Sequence, residues 1–185
     1  METVFVQLAE GFEEIEAVTI IDILRRAGIE TQIIAVGDNL LIKGGHGIEV
    51  RADLLFQDAD FSRGSMIILP GGFVGCNNLV SHAGLANLIK EYFSSRKYVA
   101  AICAAPSIVL GGLGVLEGRQ ATCYPGMENL LVGATFCNSS IVQDGNLITS
   151  RGPATAIPFA LKLVEVLKGF ELANELSGHL LYKDK

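Results

Sequence analysis

The sequence predicts an α/β domain built on a mostly parallel central sheet, with helices on both of its faces. Three observations carry that expectation. Short apolar runs of strand character alternate along the chain with segments of helical periodicity. The runs TVFVQL, SMIIL and YVAAI are apolar almost throughout, as strands covered on two faces must be. No repeat, low-complexity tract or linker interrupts the 185 residues, so one domain over 1–185 is expected.

The elements follow in order. Thr3–Leu8 reads as a strand, then comes the loop AEGFEE and an amphipathic helix from about Glu13 to Ala27, with Gly28 where a helix stop is expected. Glu30–Val36 is a second strand. Leu40–Ala52 places glycines between two apolar pieces and reads as a hairpin. Ser65–Leu69 is a buried strand ending in PGG. A helix over about Ala83–Ser95 leads to the strand Tyr98–Ile102, and a further helix is expected after Cys103. Gln120–Cys123 reads as a short strand and Met127–Leu131 as a short helix. Asp144-Gly145 marks a hairpin within SIVQDGNLITS. Two helices, Ala154–Leu167 and Leu172–Leu181, close the chain.

Composition narrows the function classes. Half of the residues are hydrophobic, 18% are charged, and the formal net charge is -6. With no run of Lys and Arg, neither a nucleic-acid backbone nor an anionic membrane is the expected partner. Residues 98–116 carry no charge over nearly a membrane-spanning length. Pro106, Gly111, Gly112 and Gly114 break the segment, which therefore reads as buried strand, turn and helix. Met1 is followed directly by strand-like residues without a basic leader, so a cytoplasmic protein with reduced thiols is expected. Cys76, Cys103, Cys123 and Cys137 form no CxxC pair and stand at no metal-site spacing from His46, His82 or His179; no metal and no cofactor are expected.

In open parallel sheets, ligands bind outside the carboxyl ends of the strands. AEGFEE, PGGFVG and CAAP all follow strands at that edge and converge on one candidate site. Cys103 has two readings: a small buried hydrophobe, or a nucleophile at a strand-to-helix elbow. On the second, the helix start would favour the thiolate and make the thiol ionise more readily. Ala101, Ala104 and Ala105 would give access, and Pro106 suits a first helical turn. Gly71 and Gly72 can point backbone N–H groups at a developing oxyanion, or form an ordinary turn. No GxxxxGK[ST] phosphate loop occurs. Of the carboxylates Glu13, Glu14 and Glu16, one or two complement the helix dipole. Glu16 shares a face with Ile20, Ile23 and Ala27, and Glu13 shares a stripe with Ala17, Ile20 and Leu24, so periodicity leaves open which turns inward. A buried carboxyl at this edge would have a raised pKa.

Together LAEGFEEIEAV, LPGGFVGCNNL, AAICAAPSIVL and TSRGPATA, spread from Leu8 to Ala156, resemble the ThiJ/PfpI superfamily, in the branch of the Parkinson-disease-associated protein deglycase and bacterial YajL. The resemblance implies a flavodoxin-like three-layer sandwich, commonly homodimeric, with the first helix near the dimer interface. It implies that Cys103 is the reactive cysteine and Glu16 the protonated glutamate beside it. Gly72 and Ala104 then match the backbone donors facing the site, and the Ser150-Arg151-Gly152-Pro153 segment matches a pocket-lining loop. Two departures stand out. Ala104 occupies the position where some members carry histidine, and Tyr124 stands where others place one before a proline. A Cys–His pair cannot be assembled, so peptidase activity is not expected.

The leading functional expectation is glutathione-independent hydration of 2-oxoaldehydes to 2-hydroxy acids, as in glyoxalase III, or the same chemistry on glycated side chains as a deglycase. A redox-responsive stress or chaperone protein, sensing oxidants through Cys103, is the alternative. The thiamine-biosynthesis label of the family has little support without a phosphate loop.

Overall fold

The computed structural model describes residues 3–182. Strands β1 (Thr3–Leu8), β2 (Glu30–Ala35), β5 (Leu54–Leu55), β6 (Gly64–Leu69), β7 (Tyr98–Ile102), β10 (Ile141–Asp144) and β11 (Leu147–Ser150) form a seven-stranded sheet in the order β10-β11-β7-β6-β1-β2-β5. Every pairing in it is parallel except β10 with β11, the hairpin expected at Asp144-Gly145. Counted among themselves, β2, β1, β6, β7 and β11 run 2-1-3-4-5, the flavodoxin-like order.

Helices cover both faces. Helices α1 (Glu14–Arg26), α4 (Ala156–Lys168) and α5 (Phe170–His179) pack as one layer. The other layer holds α2 (Phe73–Ser81), α3 (Ala83–Ser94) and a π-helical turn over Pro106–Gly111. The central strands are therefore desolvated on two sides, and Ile67, Ile68, Leu69, Ala100 and Ala101 are fully buried. Each buried large aliphatic side chain contributes roughly 1.5–3 kcal/mol. Helix α1 buries Ala17, Ile20, Ile23 and Leu24 along one stripe. It stops at Gly28, whose φ of +67° lets the Ile29 N–H return to the Leu24 carbonyl at 3.1 Å.

Three expectations are corrected. The residues after PGG are not all loop: α2 begins at Phe73, directly behind Gly72. Gly75 and two adjacent asparagines give FVGCNNLVS weak helix propensity. Its buried side, Gly75, Cys76 and Leu79, is what makes it a helix, and it passes so close that a Cβ on Gly75 would sit 2.9 Å from the backbone of Phe12. The helix after Cys103 is a short π turn rather than a regular α-helix. The strand at 120–123 shortens to β8 (Gln120–Ala121), which pairs with β9 (Thr135–Phe136) outside the main sheet. The hairpin over 40–52 is present as β3 (Leu41–Lys43) and β4 (Glu49–Arg51). Among the described residues no helix is long and apolar enough to cross a membrane. The charge-free segment is instead β7 and the π turn.

Candidate active site

Strands β1, β6 and β7 are neighbours running in one direction, so the loops after them meet at one edge. Cys103 directly follows β7 with φ +65°, a left-handed conformation that a non-glycine residue rarely adopts. Its backbone is clamped there: the Cys103 N–H donates to the Ser150 carbonyl (3.0 Å), and the Cys103 carbonyl accepts from the Tyr124 N–H (2.8 Å). Such over-determined strain makes Cys103 a candidate functional elbow.

Glu16 is the carboxylate that turns inward. It is fully buried, whereas Glu13 stays at the rim. The Gly71 N–H donates to Glu16 Oε2 at 2.7 Å. Burial raises the Glu16 pKa to about 7, against the pull of the Gly71 N–H and the Cys103 thiol, with the Glu13 charge adding to the rise. The first glycine of PGG therefore serves the carboxyl. The second serves the sulfur: N–H groups of Ala104 and Gly72 hydrogen-bond toward Cys103 and favour its thiolate.

Those donors do not win. Burial and the Glu16 carboxylate push the Cys103 thiol well above its ordinary value, contrary to the acidified thiol expected at a helix start. The six-residue π turn begins only at Pro106 and supplies no extended helix dipole. Thiol and carboxyl behave as a pair that resists carrying two negative charges, so one proton stays between them.

Gly71 is where the two groups close in on the backbone. A Cβ there would sit 2.5 Å from Glu16 Oε2, 2.6 Å from Cys103 Cβ and 3.1 Å from its Sγ. Gly71→Ala is thus expected to displace both side chains and to destabilise the fold by about 1–3 kcal/mol, as overpacking does. Urea denaturation of the variant beside wild type checks this. Gly72 has φ +94°, and a Cβ on it would run into the backbone of Gly11, Phe12 and Glu13.

Cys103 opens onto a cavity of about 470 Å³ lined by Glu13, Gly72, Phe73, Ala104, Tyr124 and Met127, with Pro125, Gly126 and Pro153 completing its wall. The SRGP loop reaches it through Gly152 and Pro153, since a Cβ on Gly152 would lie 3.3 Å from the Tyr124 ring and 4.0 Å from Cys103 Sγ. Ser150 contributes its carbonyl to the Cys103 clamp. Its own hydroxyl donates to the Ser140 carbonyl (2.9 Å) and meets Thr155 Oγ1 (2.7 Å). Arg151 points its guanidinium at Asn138 and is not among the cavity-lining residues. Phe73 and Met127 carry no sequence signal for a pocket role beyond the proximity of Phe73 to PGG, whereas Pro153 belongs to the pocket-lining loop that the resemblance implies.

A second cluster lies nearby. Glu13, Glu14 and His46 bring ligand-type atoms within 4.8 Å of one another. Both oxygens of the buried Glu14 are engaged: Oε1 accepts from the His46 N–H (2.7 Å) and Ile48 N–H (3.3 Å), and Oε2 meets His46 Nδ1 (2.9 Å). Burial works to raise the Glu14 pKa, but the His46 ring and these N–H groups hold it below the usual carboxylate value. The same contact, with the charges of Glu13 and Glu14, raises the pKa of the exposed His46. Glu14 thus pins the β3–β4 hairpin to α1, a use that dipole arguments missed. Among the described residues no histidine lines the Cys103 cavity, and the three other cysteines do not line it either. All four are free thiols.

Comparison with known proteins gives a consistent picture. The DJ-1/PfpI family model matches residues 2–166. Protein DJ-1 homolog B of Arabidopsis thaliana is 40% identical over 97% of the chain, which spans only 41% of that protein's length. A Caenorhabditis elegans protein named glutathione-independent glyoxalase DJR-1.2 is 33% identical over 90% of this chain and 89% of its own. Among solved structures, oxidized Toxoplasma gondii DJ-1 superposes with a TM-score of 0.96 at 36% identity, covering 100% of both chains.

Proposed function

This chain belongs to the DJ-1/PfpI family, and on that premise we propose that it is a cysteine-dependent enzyme converting 2-oxoaldehydes to 2-hydroxy acids without glutathione or metal. One observation carries the reading. Cys103 faces a cavity from a strained elbow, with two backbone N–H groups toward its sulfur and a carboxyl of pKa about 7 beside it. The similarity to a relative named as a glutathione-independent glyoxalase supports it.

The chemistry follows from that arrangement. Ionised Glu16 takes the Cys103 proton as sulfur bonds to the aldehyde carbon, and the N–H groups of Gly72 and Ala104 hold the resulting oxyanion. Glu16 returns the proton to that oxygen, giving a hemithioacetal. It then removes the proton from the former aldehyde carbon and delivers it to the neighbouring carbon, while the hydroxyl proton passes to the neighbouring oxygen of the enediolate, leaving a 2-hydroxy thioester. Water cleaves the thioester to the acid and restores the thiol. A base with pKa about 7 is poised for both directions of transfer near neutral pH. With glycated side chains as the carbonyl source, the same steps give deglycation. Exposed Ile15 and Val18 on α1 fit a homodimer partner, and the free thiols fit a reducing cytoplasm.

Purified protein given methylglyoxal without glutathione or added metal is expected to release lactate. Consumption of the aldehyde without lactate, leaving only adducts on the protein, would overturn the reading.

Oxidant sensing is the second reading, because the donors that hold an oxyanion could equally hold an oxidised sulfur with help from protonated Glu16. The raised Cys103 pKa counts against it, since oxidation follows thiolate character. Mass spectrometry after mild peroxide distinguishes the two readings: sensing requires oxidation concentrated on Cys103 rather than spread across all four cysteines.

A further inference from the structure

We propose that the Cys103 cavity selects 2-oxoaldehydes bearing a bulky apolar substituent, an aryl or extended alkyl group on the ketone carbon, over glyoxal, methylglyoxal and carboxylate-bearing analogues. The inference rests on the carbonyl reading above and adds to it the identity of the group that fills the rest of the site.

Size is the first argument. The reacting atoms occupy only the corner between Cys103, Gly72 and Glu16. The cavity of about 470 Å³ belongs with sites that bury ligands far larger than a three-carbon dicarbonyl. Chemistry of the walls is the second. Phe73 is 67% exposed and Tyr124 47% exposed, and together with Pro125, Met127 and Pro153 they present ring and thioether surface to solvent at the mouth. Aromatic faces of this kind gain by covering an aryl group. A diol-sized polar substrate would leave them wet. Tyr124 matters here as a surface: at a position where histidine would supply a basic nitrogen, it supplies a ring, seated against Gly152.

Charge is the third argument. Among the described residues, and apart from the Cys103 thiol and the Tyr124 phenol, Glu13 is the one ionisable side chain lining the cavity, and it carries the wrong sign for a carboxylate substituent. The cation of the adjoining loop, Arg151, is turned to Asn138. An anionic tail would therefore meet a like charge, and the cation paired with Glu13, His46 (Nδ1 to Oε1 3.7 Å), is not among the cavity-lining residues. Beyond Phe73 lies a second recess of about 370 Å³, lined mostly by apolar side chains (Val80, Ile108, Leu130 and Val132) with Asn77 and Ser107 as its polar members. A longer alkyl chain leaving the first cavity past Phe73 has somewhere to lie.

The test has two arms. In the first, kcat/KM is measured for phenylglyoxal, hexylglyoxal, methylglyoxal and glyoxal with wild type and Phe73→Ala. Wild type is expected to favour the first two over methylglyoxal by at least about tenfold, a modest figure for apolar-pocket discrimination. Phe73→Ala should cut that ratio severalfold. Equal values for all four, unmoved by Phe73→Ala, would overturn the proposal while leaving the carbonyl reading intact.

The second arm needs no turnover. Cys103 sulfur displaces iodide from 2-iodo-N-phenylacetamide, iodoacetamide and iodoacetate, and each rate is divided by that of N-acetylcysteine with the same reagent. The expected order is phenyl, then unsubstituted, then carboxylate. The phenyl advantage should fall in Phe73→Ala and the carboxylate penalty should ease in Glu13→Gln. If no 2-oxoaldehyde is turned over but this order appears, the carbonyl reading fails and the apolar selectivity stands. A flat order in this arm overturns the selectivity whatever the first arm gives.

Discussion

Cys103→Ala is expected to lower turnover of 2-oxoaldehydes by at least about 10⁴-fold, because a nucleophile that acts as a unit with its base leaves little when removed. No other group can take its place. Cys76 and Cys123 are fully buried with thiols held above their ordinary value, chiefly by burial, and Cys137 is not among the cavity-lining residues. The fold should survive the change, since alanine keeps the apolar contacts of the elbow. Its left-handed backbone at φ +65° gives a control on folding. Cys103→Gly, which is at ease in that conformation, is expected to be about 1–2 kcal/mol more stable than Cys103→Ala in urea denaturation, and equally inactive. Lactate formation by Cys103→Ala within tenfold of wild type would remove the cysteine from the mechanism.

The elbow was legible in the sequence because two constraints act on the same few residues. YVAAI must be apolar to sit between two helical layers, and CAAP must be small to turn tightly at the sheet edge, where Ala104 and Ala105 are buried. PGG and AEGFEE follow strands of the same kind, so their convergence could be argued before any coordinates. What could not be read depends on which contact prevails. Glu13 and Glu16 both lie on stripes that end in isoleucine and leucine or alanine. Only the packing of α1 on the sheet decides that Glu16 goes in. Glu14 reads locally as a dipole complement, because its partners, the amides of His46 and Ile48, lie more than thirty residues away. The direction of the Cys103 shift turns on the same kind of distant contact. Local position favoured the thiolate, but burial and a carboxylate brought in from α1 outweigh two backbone donors. Helix α2 escaped notice because tertiary packing, rather than propensity, holds FVGCNNLVS in a helix.

Glu16→Gln separates what this carboxyl does for catalysis from what it costs the fold. The amide keeps the shape and an oxygen for the Gly71 N–H, but cannot move a proton. Turnover should fall by about 10²–10⁴-fold, the usual worth of a positioned acid–base group. In wild type, kcat/KM should rise as pH increases through about 7, as Glu16 ionises, and that limb should vanish in the variant. Stability moves the other way. The folded-state pKa of about 7 lies above the ordinary value of 4.5, so between these values the folded chain holds a proton that the unfolded chain has released. The stability this proton confers is complete below about pH 4.5 and is lost as pH rises through about 7. At ~1.4 kcal/mol per pH unit the loss is on the order of 3 kcal/mol. His46, whose pKa is also raised, loses stability in the same direction, so the difference between wild type and Glu16→Gln isolates the carboxyl. Urea denaturation at pH 5 and pH 8 should therefore show wild type losing more stability with pH than the variant does. Parallel losses in the two proteins would mean that Glu16 is ionised throughout, and the proton shared with Cys103 would have to be sought elsewhere.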